Sequence, residues 1–269
     1  MMVVDRPLRI ATFLAPNVYP VYAYIAQYLG RKLGCPTEIL VGDSHDKFDS
    51  LHPDIAFICG LPYVLMMRQG PPPVELLAAP VLQGERFAGK PIYYSDVIVH
   101  RDASFQSFAD LRGHSWAYNE EVSQSGYGIT RHHLLTLSAT SGFFSQVVNA
   151  GWHQKAIEMV ANKQIDAAAI DCQVLMIELR DHPELSGQIK IIDALGPSTI
   201  QPVVARTDLP ASLKSDARGV LLELADDPDA RHQLAQGYFD HFVPATDHDY
   251  DDIRAMLHAA QTANFMIIH

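Results

Sequence analysis

Short apolar runs alternate along this chain with segments whose apolar residues recur every three or four positions, a pattern that predicts βα units and parallel strands. Arg9-Ile10-Ala11-Thr12-Phe13-Leu14 reads as the first strand, and Pro16-Asn17 breaks the chain after it. A helix follows from about Tyr19 to Leu33, with Val21, Tyr24, Ile25, Tyr28 and Leu29 on one face. Gly34 stops it and Pro36 follows. Thr37–Val41 and Asp54–Ile58 read as two further strands, and Pro62 opens a helix through Met67 that ends at Gly70 and the Pro71-Pro72-Pro73 run. Val74–Leu82 is again strand-like.

Ile92–Val99 is a longer β-rich stretch, after which the rhythm restarts. The pattern predicts a strand over Ser115–Tyr118, helices from Ser125 and from Trp152, a strand over Ala167–Ile170, a helix from Cys172 and a strand over Ile189–Ile192. Val203-Val204-Ala205 reads as a second connecting strand, and the tail as helices starting near Pro210, Pro228 and Tyr250. Two connections bracketing a middle βα section imply an α/β protein of two discontinuous lobes. Residues 1–95 with 203–269 form the first and 96–202 the second. A ligand cleft is expected between them, closing by hinge motion at the crossings.

The chain has 269 residues, 48% of them hydrophobic and 19% charged, an ordinary globular balance. Its formal net charge of -11 argues against a surface that neutralises nucleic-acid phosphates or anionic lipid. A small anion is still welcome, because helix N-termini can hold one on backbone N–H groups. Cys35, Cys59 and Cys172 form no CxxC pair and no disulfide framework, and Cys59 reads as a small buried hydrophobe. The thirteen histidines, His132-His133 among them, lack metal-ligand spacing, and HExxH, GxSxG, GxxxxGK[ST] and GxGxxG are all missing. No cofactor and no membrane-spanning run of roughly 20 apolar residues is expected. Met1–Pro7 has neither a basic nor an apolar leader region, so either a signal peptide has been removed or the protein stays in the cytoplasm.

Ser123-Gln124-Ser125-Gly126-Tyr127, between a strand and a helix, is the sharpest local feature. Hydroxyls and a glycine at a helix start offer N–H and O–H donors to one point, where the helix dipole adds positive charge; a phosphate or phosphonate head group fits. On the motif alone a plain N-cap at Ser123 or Ser125 is the commoner reading, because serine caps are frequent. His153, after Gly151-Trp152, stands at the next helix start as an anion donor or a surface cap. Asp171 ends a strand and is placed to accept from a ligand amine or a protonated oxyanion, or to cap the following helix. Of Tyr93 and Tyr94 on the connecting strand, alternation lets only one reach a ligand, and Tyr63 follows the third strand.

The ordered set Asp54-Ile55-Ala56-Phe57, Leu61-Pro62-Tyr63, Tyr93–His100, Phe105–Gly113, Ser123–Tyr127, Gly151-Trp152-His153, Ile165–Asp171 and Arg206–Pro210 resembles the phosphate/phosphonate-binding family of periplasmic ABC-transporter receptors. The resemblance runs from about Arg9 to Leu213. It implies a type II periplasmic-binding fold, a small phosphonate-like anion as ligand, a transporter permease as partner and a periplasmic location, the cytoplasm being the alternative. It places the head group on Ser123, Gln124, Ser125, Gly126 and His153, with Tyr63, Tyr93 or Tyr94, and Asp171 closing around it. The family carries threonine where this chain has Gln124, so one donor changes character. A solute receptor for phosphonate, phosphate or phosphite is the principal expectation. Resemblance at this level also reaches cytosolic enzymes of menaquinone or thiamine-precursor pathways, where His153 or Asp171 would be the acid–base group; a third reading is a cytosolic sensor whose closed form docks on a partner.

Overall fold

The computed structural model describes residues 6–42, 47–68 and 70–269; the start of the chain, 1–5, lies outside them. In chain order the strands and helices are β1 (Leu8–Thr12), α1 (Tyr19–Leu33), β2 (Thr37–Val41), α2 (Phe48–Leu51), β3 (Ile55–Phe57), α3 (Gly60–Met66), β4 (Val74–Leu82) and β5 (Ile92–His100). They continue as β6 (Ser115–Tyr118), α4 (Ile129–Thr136), β7 (Gln146–Asn149), α5 (His153–Ala161), β8 (Ala167–Asp171), α6 (Cys172–Asp181) and β9 (Ile189–Thr199). The remainder is β10 (Val203–Arg206), α7 (Ala211–Leu222), α8 (Pro228–Ala235), β11 (Phe239–Val243) and α9 (Asp251–Thr262).

The chain divides into two compact units, Met1–Ile92 with Thr199–Tyr250, and Tyr93–Ser198 with Asp251–His269. The first carries a six-stranded sheet in the order β11-β4-β10-β3-β1-β2. β1 pairs in parallel with β2 and β3, whereas β10 runs antiparallel to β3 and β4, and β11 antiparallel to β4. Helix α1 ends at Gly34, whose φ of 68° is the left-handed conformation that a glycine adopts without a Cβ penalty. The inner face of α1 buries Val21, Tyr22, Ile25 and Leu29, with Tyr22 stacked on Phe57 at 4.4 Å between centroids.

The second unit carries a five-stranded sheet, β7-β6-β8-β5-β9. β6 lies parallel to both β7 and β8, and β5 is antiparallel to β8 with Ser95 opposite Asp171. Its core is aromatic: Phe108 packs on Trp116, Phe143 and Phe144, and Trp116 stacks on Phe144 at 4.8 Å.

Several elements differ from the sequence reading. The tail was expected to belong wholly to the first lobe, yet 251–269 is part of the second unit, because Phe265 and Ile268 enter that unit's apolar core. The long strand before the second crossing is β9, which runs on to Thr199, while Val203–Arg206 is a short internal strand of the first sheet. β7 and β11 were not foreseen. β7 is a half-exposed edge strand with polar ends, and β11 has only five residues in a helical tail, so neither carries a long apolar signal.

Candidate anion-binding site

Three adjacent parallel strands of the second sheet, β7, β6 and β8, are each followed by a helical segment. Parallel strands share one carboxyl edge, so the N-termini of α5, of the segment after β6, and of α6 lie along that edge. Each contributes partial positive charge and N–H groups without an intrahelical acceptor.

After β6 the chain does not enter α4 directly, as a helix from Ser125 would require. Gln124–Gly128 forms one π-type turn, in which the Gly128 N–H donates to the Ser123 carbonyl at 2.9 Å and the Ile129 N–H to the Gln124 carbonyl. The wider turn needs its glycines. A Cβ on Gly126 would lie 1.8 Å from Asn119 Oδ1, and one on Gly128 2.5 Å from Gln124 Oε1.

Ser123 caps this turn: its Oγ accepts from the Gly126 N–H at 3.0 Å and stands 3.4 Å from Ser125 Oγ. Ser125 Oγ is 3.2 Å from His153 Nε2. His153 opens α5 and is buried, and burial pulls its imidazole down to about 4, so it is neutral near pH 7. Its other nitrogen, Nδ1, is buried with no hydrogen-bond partner. Among the described residues the Ser123, Ser125 and His153 side chains are hydrogen-bonded or ion-paired to no lysine or arginine. They form a neutral, donor-rich cluster.

Asp171 caps α6, accepting from the Gln173 N–H at 2.8 Å and from the Val174 N–H at 3.4 Å. Its alternative reading as a helix cap is therefore realised, at the same sheet edge. Gln124 is fully buried, and its Nε2 donates to Ser198 Oγ at 3.1 Å and contacts Met256 Sδ at 3.1 Å. That amide ties the turn to the end of β9 and to α9. Tyr93 is buried on β5 while Tyr94 is half-buried, the alternation expected of a strand; the Tyr94 N–H points to Cys172 Sγ at 3.4 Å. Tyr63 belongs to the first unit, where its hydroxyl donates to Asp247 at 2.7 Å and its ring packs on Tyr250. The structure thus brings Ser123, Ser125, Gly126 and His153 into one cluster. Asn119, one residue beyond β6, was not among the expected residues and lies against Gly126 of this turn; a polar residue at the carboxyl end of a parallel strand was the available signal.

Among the described residues no group of histidines, cysteines and carboxylates is arranged to hold a metal, and no helix is long and apolar enough to cross a membrane.

Comparison with solved structures gives the same architecture. The chain is similar to a binding-protein component of an ABC phosphonate transporter from Pseudomonas aeruginosa, with a TM-score of 0.83 at 18% identity over 98% of this chain and 90% of that one. It is similar to PhnD1 from Prochlorococcus marinus in complex with methylphosphonate, with a TM-score of 0.79 at 16% identity over 96% and 98%. XAC2383 from Xanthomonas citri, bound to chloride, matches with a TM-score of 0.72 at 18% identity over 97% and 99%. At such identities these likenesses establish the fold, that of type II periplasmic-binding proteins. Function comes from the family: residues 10–250 match the model described as ABC transporter, phosphonate, periplasmic substrate-binding protein. Such proteins bind a substrate for a transporter and do not catalyse, which sets aside the enzyme alternative. On a match spanning most of its length, this chain belongs to the phosphonate-binding periplasmic substrate-binding proteins of ABC transporters.

Proposed function

We propose that the phosphonate head group sits at the carboxyl edge of the second sheet, on Ser123, Ser125 and the π turn, with His153 as a neutral donor. The observation that carries this reading is the contact between Ser125 Oγ and buried His153 Nε2 at 3.2 Å, beside a histidine nitrogen with no partner. A phosphonate presents acceptors only, apart from any proton it keeps, and the cluster presents hydroxyl, ring and backbone donors. Because the donors are neutral, an anion held there is stabilised by dipoles, each charge-assisted hydrogen bond contributing about 1.5–3 kcal/mol.

Asp171 stands at the same edge as the one carboxylate of the set, suited to a ligand amine or to a protonated oxygen. Tyr94, half-buried on β5, is the tyrosine of the Tyr93–Tyr94 pair that we assign to the ligand. Phosphate and phosphite share the head-group chemistry and are candidate secondary ligands. The family's name supports a periplasmic place of action.

The test is a thermal-shift titration with methylphosphonate, 2-aminoethylphosphonate, phosphite and phosphate, on the wild-type chain and on Ser125→Ala. Ligand binding to the native state raises Tm with concentration. A saturable rise with a phosphonate, lost in Ser125→Ala, is expected. A rise that Ser125→Ala leaves unchanged places the head group elsewhere, and no rise with any ligand refutes the phosphonate assignment.

A further inference from the structure

Arg131 lies in the first turn of α4, directly after the π turn, and only 4% of it is exposed. A buried guanidinium is normally met by a carboxylate, because removing an unpaired charge from water is expensive. Here no carboxylate is within ion-pair distance among the described residues. Its Nη1 donates to the Met266 carbonyl at 3.2 Å, its Cζ lies 5.7 Å from the centre of the Tyr127 ring, and its Nε has no partner. The segment after α9 holds this arrangement in place. The Tyr127 hydroxyl accepts from the Ile268 N–H at 2.9 Å and contacts the Met266 carbonyl at 3.4 Å, while Phe265 and Ile268 are buried in the core.

Arg131 is thus a cation without a counter-charge, in a chain whose net charge is -11, immediately behind a turn built to receive an anion. We propose that Arg131 is a specificity-determining residue whose uncompensated charge, fixed by Tyr127 and the Met266–Ile268 segment, makes affinity depend on the number of negative charges the ligand carries. It does this without touching the ligand. The inference rests on the head-group site proposed above.

The desolvation that lowers its pKa also keeps water from screening its field, and arginine stays protonated at physiological pH. Six residues of helical rise separate Arg131 from Ser125, about 9 Å. At that range and an effective dielectric near 20, Coulomb attraction gives about twentyfold in affinity for each ligand charge. A monoanion gains about twentyfold and a dianion about four-hundredfold on the same scale. Neutral donors alone discriminate far less steeply between the two.

The experiment is calorimetric titration of the full chain in alkaline buffer with methylphosphonate, there a dianion, and with its O-methyl monoester, a monoanion. Arg131→Met should weaken the dianion about twentyfold more than the monoanion, while the ligand-free Tm stays level or rises as an unpaired buried charge is lost. Arg131→Lys should keep the wild-type ratio of the two affinities. Should Arg131→Met not fold, Arg131→Gln carries the same comparison. Equal weakening of both ligands, or none, overturns the proposal and leaves Arg131 as scaffold for the C-terminal segment. Absence of binding by the wild-type chain overturns the phosphonate site itself, and is told apart by that control.

Discussion

Gly126 offers the most direct test of how the turn is built, because its requirement is purely spatial. Its φ is not in the left-handed region, so an alanine meets no backbone penalty there. The obstacle is Asn119. An added Cβ would stand 1.8 Å from Oδ1, 2.9 Å from Cγ and 3.4 Å from the backbone nitrogen. Non-bonded carbon and oxygen atoms settle at about 3.3 Å or more, so the overlap is about 1.5 Å and falls on one side-chain atom. Either Asn119 rotates inside a buried site or the turn moves by about an ångström; overpacking of this kind costs about 1–3 kcal/mol. For a chain of this size that is a Tm loss of about 2–10 °C. Displacing the turn also misaligns its donors, and losing one charge-assisted hydrogen bond weakens a phosphonate by about 10- to 100-fold. Calorimetric titration of Gly126→Ala with methylphosphonate, paired with thermal denaturation, measures both quantities. The double variant Gly126→Ala/Asn119→Ala removes Oδ1 and Cγ and leaves only the ordinary 3.4 Å contact, so it should recover most of each loss. Wild-type affinity in Gly126→Ala, or failure of Asn119→Ala to rescue it, would refute the account.

Two further outcomes follow from the same cluster. Burial pulls the folded His153 imidazole down to about 4 from its ordinary 6.5, so the unfolded chain binds its proton first. Stability from this group is complete above about pH 6.5 and is lost as pH falls to about 4, by about 3 kcal/mol in all. Urea unfolding across that window should show a slope that His153→Asn removes; an unchanged slope would mean the imidazole is not desolvated. Asp171→Asn keeps a side-chain oxygen for the Gln173 and Val174 N–H groups, so Tm should shift by little, within about 1 kcal/mol of stability. It should weaken 2-aminoethylphosphonate more than methylphosphonate in titration calorimetry; equal affinities for the two would confine Asp171 to its capping role.

Much of this protein was legible from local pattern. The β1–α1–β2 opening, β4, β5, β6 and β8 follow from short apolar runs between breakers; β4 and β8 are the plainest, since a strand with both faces covered is mostly apolar. Ser123, Ser125 and His153 were legible for a related reason. Donors at helix starts after parallel strands converge on one edge wherever such a sheet forms, whatever the details of packing. Other features depended on contacts between residues far apart in sequence. Nothing near Gln124 announces that its amide will bond Ser198 and Met256, at separations of 74 and 132 residues. The tail helix reads from its own sequence as amphipathic, but the core that its apolar face and Phe265 join was settled by packing alone. The same holds for Arg131, an unremarkable helix residue by pattern. Burial, the missing carboxylate and the Met266 carbonyl that holds it exist only once 251–269 has folded against α4. Periodicity records which face of an element is apolar. Which surface covers that face, and which charge is left behind it without a partner, is decided by tertiary structure.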